Sequence, residues 1–280
     1  MLTTPALRKT LLTALLACGA WLVALLVLAP YVQMLLTALK PHDELFASPT
    51  TYLPESWEFG NFIEVWRVAP LWEYLRNTII IAGLSTVLAV SVALPAAYYT
   101  ARRRFWGRRG FLLLVLVTQM FAPTALVIGI HREMLALGLI DTHASLILVN
   151  AAFNLAFSTW ILHAYFTSIP VELEEAAWLD GCGKARALLT VTLPLAVPGV
   201  VTAVIFTFIT AWNEFVIALT LTSTPDTQPL TVGITAFIGQ YEVQWQFLFA
   251  ASLIAIVPVV ILFAFIERFL VSGLTAGSVK

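Results

Sequence analysis

Six long apolar runs dominate this sequence, at residues 11–39, 78–100, 111–130, 144–165, 197–221 and 247–266. Each matches or exceeds the roughly 20 residues a helix needs to cross the hydrocarbon core of a bilayer. Backbone N–H and C=O groups in lipid must be satisfied within their own segment, so runs of this kind fold as helices. They are continuous and not alternating, which argues against a transmembrane β-barrel. Composition points the same way: 60% of the residues are apolar and only 11% charged, against roughly a quarter charged in soluble proteins. That excludes an ordinary soluble enzyme and a disordered regulator, and with a net charge of −1 it excludes a nucleic-acid binder. The predicted fold class is all-α integral membrane, six transmembrane helices in one domain over residues 1–280.

The first run follows Arg8 and Lys9, but its length and the five runs after it predict an uncleaved helix and not a signal peptide. Leu15-Leu16-Ala17-Cys18 faintly resembles a lipoprotein cleavage box, yet apolar residues continue past Cys18 where a polar tether would stand. Charge sets the predicted orientation. With the amino terminus inside, 11 of the 15 Lys and Arg face the cytoplasm and 4 face outward; 10 acidic residues lie outside, 5 inside, and Glu214 within a span. The run Ala101-Arg102-Arg103-Arg104-Phe105-Trp106-Gly107-Arg108-Arg109 reads as a topology anchor at the lipid headgroups. Both termini are predicted to be cytoplasmic. Residues 40–77 then form an outer loop with Trp57, Trp66 and Trp72. Within it, Asn61-Phe62 and Trp72-Glu73-Tyr74-Leu75 are expected as short helices along the membrane surface.

The loop 166–196 carries more information. Pro170 suits the first turn of a helix, because its missing N–H would have no partner there. Glu172, Glu174 and Glu175 set negative charge against the positive end of the helix dipole. Gly181 and Gly183 stop the helix or turn it sharply. A second short helix is expected with Leu188 and Leu189 on its apolar side. A helix of about ten residues is marginal alone in water, so Leu173, Ala176, Ala177 and Trp178 need a surface to pack on. That surface is either the protein's own helix ends or a groove on another protein.

Glu175-Ala176-Ala177, three residues, Gly181, nine residues, then Val191-Thr192-Leu193-Pro194 resembles the EAA motif of ABC-importer permeases, with Val191 where the family prefers isoleucine. Trp212-Asn213-Glu214-Phe215, Gly138-Leu139-Ile140-Asp141-Thr142 and the tail from Gly273 to Lys280 narrow the resemblance to the maltose-type (MalG-like) permeases of carbohydrate importers. The family tail commonly ends in one more glycine, which this chain lacks. The resemblance implies the type I ABC-importer permease (MetI-like) fold in a bacterial or archaeal cytoplasmic membrane. It implies a pathway for a sugar or sugar-like solute, formed with a second homologous permease. An extracytoplasmic solute-binding protein would deliver the solute, and two ATPase subunits would carry ATP and Mg. Glu175, Ala176, Ala177, Asp180, Gly181, Leu193 and Pro194 would couple to an ATPase, and the tail would lie near the ATPase interface. The loop 222–245, with Gln240 and Tyr241, would reach the binding protein.

Nothing in the chain binds ATP by itself. The one Gly-Lys pair, Gly183-Lys184, has Trp178 where a phosphate-binding loop needs its leading glycine and Ala185 where it needs a hydroxyl. There is no HExxH or Cys/His cluster for a metal, no Gly-x-Ser-x-Gly elbow, and Cys18 and Cys182 make no disulfide framework. A non-catalytic subunit with no cofactor of its own is predicted.

Polar groups inside spans are costly and often mark pathways, which singles out Gln119, Asn150, Asn154, Asn213 and Glu214. The competing reading is interhelical hydrogen bonding. Glu214 lies sixteen residues beyond Pro198, about 24 Å along a helix, where an outer gate suits it better than a proton relay. Pro30, Pro95, Pro123 and Pro258 each remove a helical hydrogen bond and are expected to bend their spans. The alternative function, an ion-coupled secondary transporter, needs ionisable groups at mid-membrane and usually internal repeats. One carboxylate near a span end supports it poorly.

Overall fold

The computed structural model describes residues 5–49 and 51–275, and side chains at 9, 12–49 and 51–264. Its main helices are α1 (Pro5–Ala38), α2 (Asn61–Val68), α3 (Leu71–Arg102), α4 (Arg108–Thr118) and α5 (Pro123–Ala136). They continue with α6 (His143–Ser168), α7 (Glu172–Leu179), α8 (Val197–Trp212), α9 (Val216–Leu221) and α10 (Trp245–Thr275). Among the described residues, β pairing is limited to one antiparallel bridge between Ile238 and Val243.

Four expected spans are single helices long and apolar enough to cross a membrane: α1, α3, α6 and α10. Helix α3 begins earlier than the run 78–100 and takes Trp72-Glu73-Tyr74-Leu75 as its first turn. No separate surface helix forms there, because the last breaker before the span is Pro70. The runs 111–130 and 197–221 are not single helices. The first is broken at residues 119–122, with α4 and α5 at 95° to one another. Pro123 sits in the opening turn of α5, where its missing N–H does no harm, so it starts a helix and does not bend one. In the second, α8 ends at Trp212, Asn213-Glu214-Phe215 leaves the helix, and α9 restarts at Val216. Pro30, Pro95 and Pro258 lie inside continuous helices. The tail residues 276–280 lie outside the described residues.

Contacts divide the chain into two compact units, Met1–Ala69 with Ala236–Ile254, and Pro70–Thr235 with Ala255–Lys280. In the first, Asn61 opens α2 and its Nδ2 donates to the carbonyls of Ala38 and Lys40 at 3.0 Å each. Lys40, 4% exposed, pairs with Glu44 at 3.1 Å and donates to Thr51 Oγ1 at 2.8 Å. These bonds hold the loop after α1 in place.

In the second unit α3 and α6 pack closely along their length, and α8 packs on both. Ala93, Ala97 and Ala203 are completely buried among Leu162, Phe166 and Val90. Such small residues let membrane helices approach closely. Gly199 serves the same end, since a Cβ there would lie 2.3 Å from the Tyr165 ring. The buried hydroxyls of Ser158 and Thr207 join α6 to α8 at 2.8 Å. A second cluster, with Ile81, Leu146, Ile217 and Leu221, ties α9 to α3 and α6.

Candidate functional site

The loop after α6 builds a short helix with a sharp end. Pro170 stands ahead of α7, before its N-cap Val171, and not in its first turn. The three acidic residues do occupy that first turn, where the helix dipole favours them. Gly181 takes the left-handed conformation at φ +87°. Cys182 N–H then donates to Ala177 O at 2.9 Å and Gly181 N–H to Trp178 O at 3.0 Å. This is the Schellman pair of bonds that closes a helix on a glycine.

Only Glu174 and Ala177 of α7 are buried. Glu174, 1% exposed, receives Tyr98 Oη, Arg102 Nε and Thr192 Oγ1, each at 2.7 Å. Arg102 also donates through Nη1 to the carbonyls of Phe166 at 2.7 Å and Ile169 at 3.0 Å. Burial on its own pushes the Glu174 carboxyl up. The donors Thr192, Tyr98 and Arg102 outweigh that and hold it below its ordinary value. Sequence reasoning missed this set, taking Glu174 as one of three dipole charges and Arg102 as part of a topology signal. The available clue was spacing: Glu174 and Ala177, at i and i+3, share one face of the helix.

The opposite face is open. Glu175, Ala176 and Asp180 are exposed, as are Leu173 and Leu179, the last at 89%. Beyond Gly183, the chain makes one turn at Lys184–Ala187, a π-helical turn at Leu188–Thr192 and a last turn at Leu193–Leu195. Its inward residues are Ala187 and Thr192. Leu188 is half-buried, whereas Leu189 is 61% exposed and does not join an apolar side. Leu193 is half-buried and Pro194 exposed.

The five polar residues assigned to the spans fall into two groups. Asn150 and Asn154 are buried one turn apart on α6, and their Nδ2 groups bond the carbonyls of Leu146 and Asn150. Gln119, at the α4–α5 break, donates to Phe153 O at 2.9 Å. Asn213 and Glu214 stand apart, at the α8–α9 break. Asn213 Nδ2 bonds Ile209 O, and the Glu214 carboxylate accepts Ile217 N–H at 2.7 Å and Ala218 N–H at 2.9 Å. Glu214 thus caps α9 and is not held in mid-helix. No hydrogen bond joins the two groups among the described residues. A cavity of about 420 Å³ at the α4–α5 break is lined by apolar side chains such as Phe121, Ile130 and Met134, with Glu133, and by none of these five.

Two loops complete the picture. Asp141, at φ +57°, accepts Ser223 N–H at 2.9 Å, Thr224 Oγ1 at 2.9 Å and Thr227 Oγ1. Asn77 Nδ2 donates to the carbonyls of Asp226 at 2.9 Å and Gln228 at 3.0 Å. In the first unit, Gln240 and Tyr241 form the tip of the turn closed by the Ile238–Val243 bridge, and Tyr241 is 94% exposed. His42 Nε2, 2.7 Å from Glu242, ties that turn to the loop after α1.

A protein-family profile described as "Binding-protein-dependent transport system inner membrane component" matches residues 89–275. A sulfoquinovosyl glycerol transport system permease protein of Agrobacterium fabrum is 37% identical over 253 residues, 90% of this chain and 89% of that protein. A trehalose/maltose transport system permease protein of Thermococcus litoralis is 35% identical over 276 residues, 98% of this chain and 99% of that one. A chain of a bacterial ABC transporter involved in import of the acidic polysaccharide alginate matches in fold, with a TM-score of 0.79 at 23% identity, over 96% of this chain and 99% of that one.

Proposed function

The chain belongs to the family of binding-protein-dependent transport system inner membrane components, and from that premise we propose that it is one of two permeases in a carbohydrate importer driven through α7. As a permease subunit of an ABC importer it is non-catalytic; hydrolysis belongs to a separate subunit. The observation that carries the proposal is the two-sided character of α7. Its inner face is fixed by Glu174 and Ala177, and its outer face leaves Leu173, Ala176 and Leu179 uncovered. A helix of eight residues gains little from its own hydrogen bonds, and exposed apolar side chains on it call for a partner. In the proposed assembly an ATPase subunit receives that face, with Glu175, Ala176, Asp180, Gly181 and Pro194 at or near the contact, while Ala177, buried, and Leu193, half-buried, support it from behind. Both termini and α7 lie in the cytoplasm, in keeping with the excess of Lys and Arg on that side. Tyr241 and Gln240 reach an extracytoplasmic binding protein.

The substrates for which the relatives are named, sulfoquinovosyl glycerol and trehalose or maltose, support a sugar or sugar-like solute. So does the chemistry of the polar residues. Asn150, Asn154, Asn213 and Gln119 each give one N–H to a backbone carbonyl and keep the amide oxygen as an acceptor. Hydroxyl-rich neutral ligands donate to such oxygens.

The deciding experiment is Leu179→Asp in the complex expressed with its ATPase subunits. We expect the ATPase to be lost on purification of the permease while the permease remains in the membrane. Unchanged recovery of the ATPase and unchanged sugar uptake would overturn the docking role of α7.

A further inference from the structure

We propose that Glu174 is a positioning residue, the mechanical link through which movement of α7 reaches the membrane helices. The proposal rests on the reading of α7 as the ATPase-docking helix and concerns what lies behind that surface. Behind the exposed face α7 fully buries one carboxylate and one methyl group, with Trp178 half-buried beside them, and of these only the carboxylate is hydrogen-bonded to the bundle. An alanine methyl slides over its neighbours with little resistance. The carboxylate does not, because its bonds are short and directional. It is held at 2.7 Å by Tyr98 and Arg102 of α3 and by Thr192, at the entry to α8. Through Arg102 Nη1 it is also tied to the carbonyls of Phe166 and Ile169, at the exit of α6. Charge-assisted bonds of this length are about twice as strong as neutral ones and fix geometry as well. One buried side chain therefore gathers α3, the π-helical turn ahead of α8 and, through Arg102, the end of α6 onto α7. The adjacent acids have no such connection, since Glu172 and Glu175 are exposed.

A buried ion pair is weak evidence for stability, because apolar side chains of similar size often replace it without loss. That separates a mechanical role from a merely structural one. The double replacement Arg102→Met with Glu174→Leu keeps the junction filled and removes the directional bonds. Glu174→Gln keeps the shape and removes the charge. Tyr98→Phe removes one donor and leaves the ion pair.

The test uses the complete importer in vesicles with its binding protein, and reads solute moved per ATP hydrolysed. That ratio does not depend on how much complex folds. We expect the ATPase to co-purify with each variant and hydrolysis to continue. The ratio should fall about tenfold or more in Glu174→Gln and in the double variant, the size of effect that hydrogen bonds to a charged group carry, and by a smaller factor in Tyr98→Phe. A ratio within about twofold of the parent in both Glu174→Gln and the double variant, below what such bonds carry, would overturn the proposal. Leu179→Asp distinguishes this failure from failure of the docking reading. Loss of the ATPase there, with the ratio intact in the Glu174 variants, removes only the link. Retention of the ATPase there removes the docking reading on which the link depends.

Discussion

Two carboxylates hold loops at opposite ends of α6, a helix of 26 residues and so about 39 Å long. Glu174, beyond its last turn, is 1% exposed and sits against a guanidinium. Asp141, before its first turn, is half-exposed and bound only by neutral donors from Ser223, Thr224 and Thr227. Burial pushes both carboxyls up and hydrogen bonds bring both down, Asp141 to about 2. The difference lies in what the surroundings demand. A carboxylate sealed from water needs a countercharge as well as donors, whereas one that water still reaches is satisfied by N–H and O–H groups alone. Each end also contains a helix closed on a left-handed glycine, α7 on Gly181 at φ +87° and α5 on Gly138 at φ +68°. At the Glu174 end the anchor itself is helical; at the Asp141 end the anchor is left-handed too, at φ +57°.

Removing the countercharge gives the largest expected effect. Arg102→Ala leaves Glu174 buried and uncompensated and should destabilise the permease by about 3–5 kcal/mol, read as denaturant unfolding in detergent micelles. Arg102→Met with Glu174→Leu should cost far less, because no buried charge remains. If Arg102→Ala is no worse than the double variant, the contrast between a charge-paired end and a solvated end is broken.

Asp141→Ala removes several donor contacts at once but leaves no charge behind. Its expected cost is about 1–3 kcal/mol, confined to the joined loops, and faster hydrogen exchange at the Ser223 and Thr224 amides would report it. Acid sharpens the same point. The Asp141 carboxyl is held at about 2 against an ordinary 3.8, so its contribution is complete above pH 3.8 and is lost as pH falls toward 2. Glu174 is also lowered, so it too contributes above the ordinary carboxylate range and fades only in acid. Neither changes between about pH 5 and 8. A protection factor at Ser223 that falls on acidification in the parent, but not in Asp141→Asn, would confirm the source.

The sequence makes the spans legible because apolarity is a property of composition, and it makes the α7 turn legible because Gly181 has little other use. The breaks at residues 119–122 and 213–215 are hidden for the same reason, since hydropathy is alike on either side of a bend. Glu214 lies sixteen residues past Pro198, which placed it at a helix end, yet nothing local revealed that its carboxylate would cap the next helix. Glu174 is the clearest loss. Three acids share one turn, and which of them faces inward depends on Tyr98, 76 residues away, and Thr192, 18 residues away. Those distances are set by helix packing, which no local pattern carries. The Asp141 clasp, between segments more than 80 residues apart, was hidden likewise.

The smallest expected effect on stability is also the one that best separates folding from docking. A Cβ at Gly181 meets nothing within 4 Å, so only the left-handed backbone resists substitution. Alanine should cost about 1 kcal/mol there, while asparagine, which tolerates that conformation, should cost less, within about 0.5 kcal/mol of the parent. If α7 and its turn face only water, Gly181→Asn is silent in every assay. If an ATPase subunit covers the turn, the added side chain occupies space the partner needs, and stimulation of ATP hydrolysis by the loaded binding protein should fall although the permease is as stable as before. A larger charged residue, Gly181→Lys, should lower it further in the same assay. Full stimulation in both variants would mean that nothing docks at this turn, and would leave Glu174 anchoring a helix that carries no load.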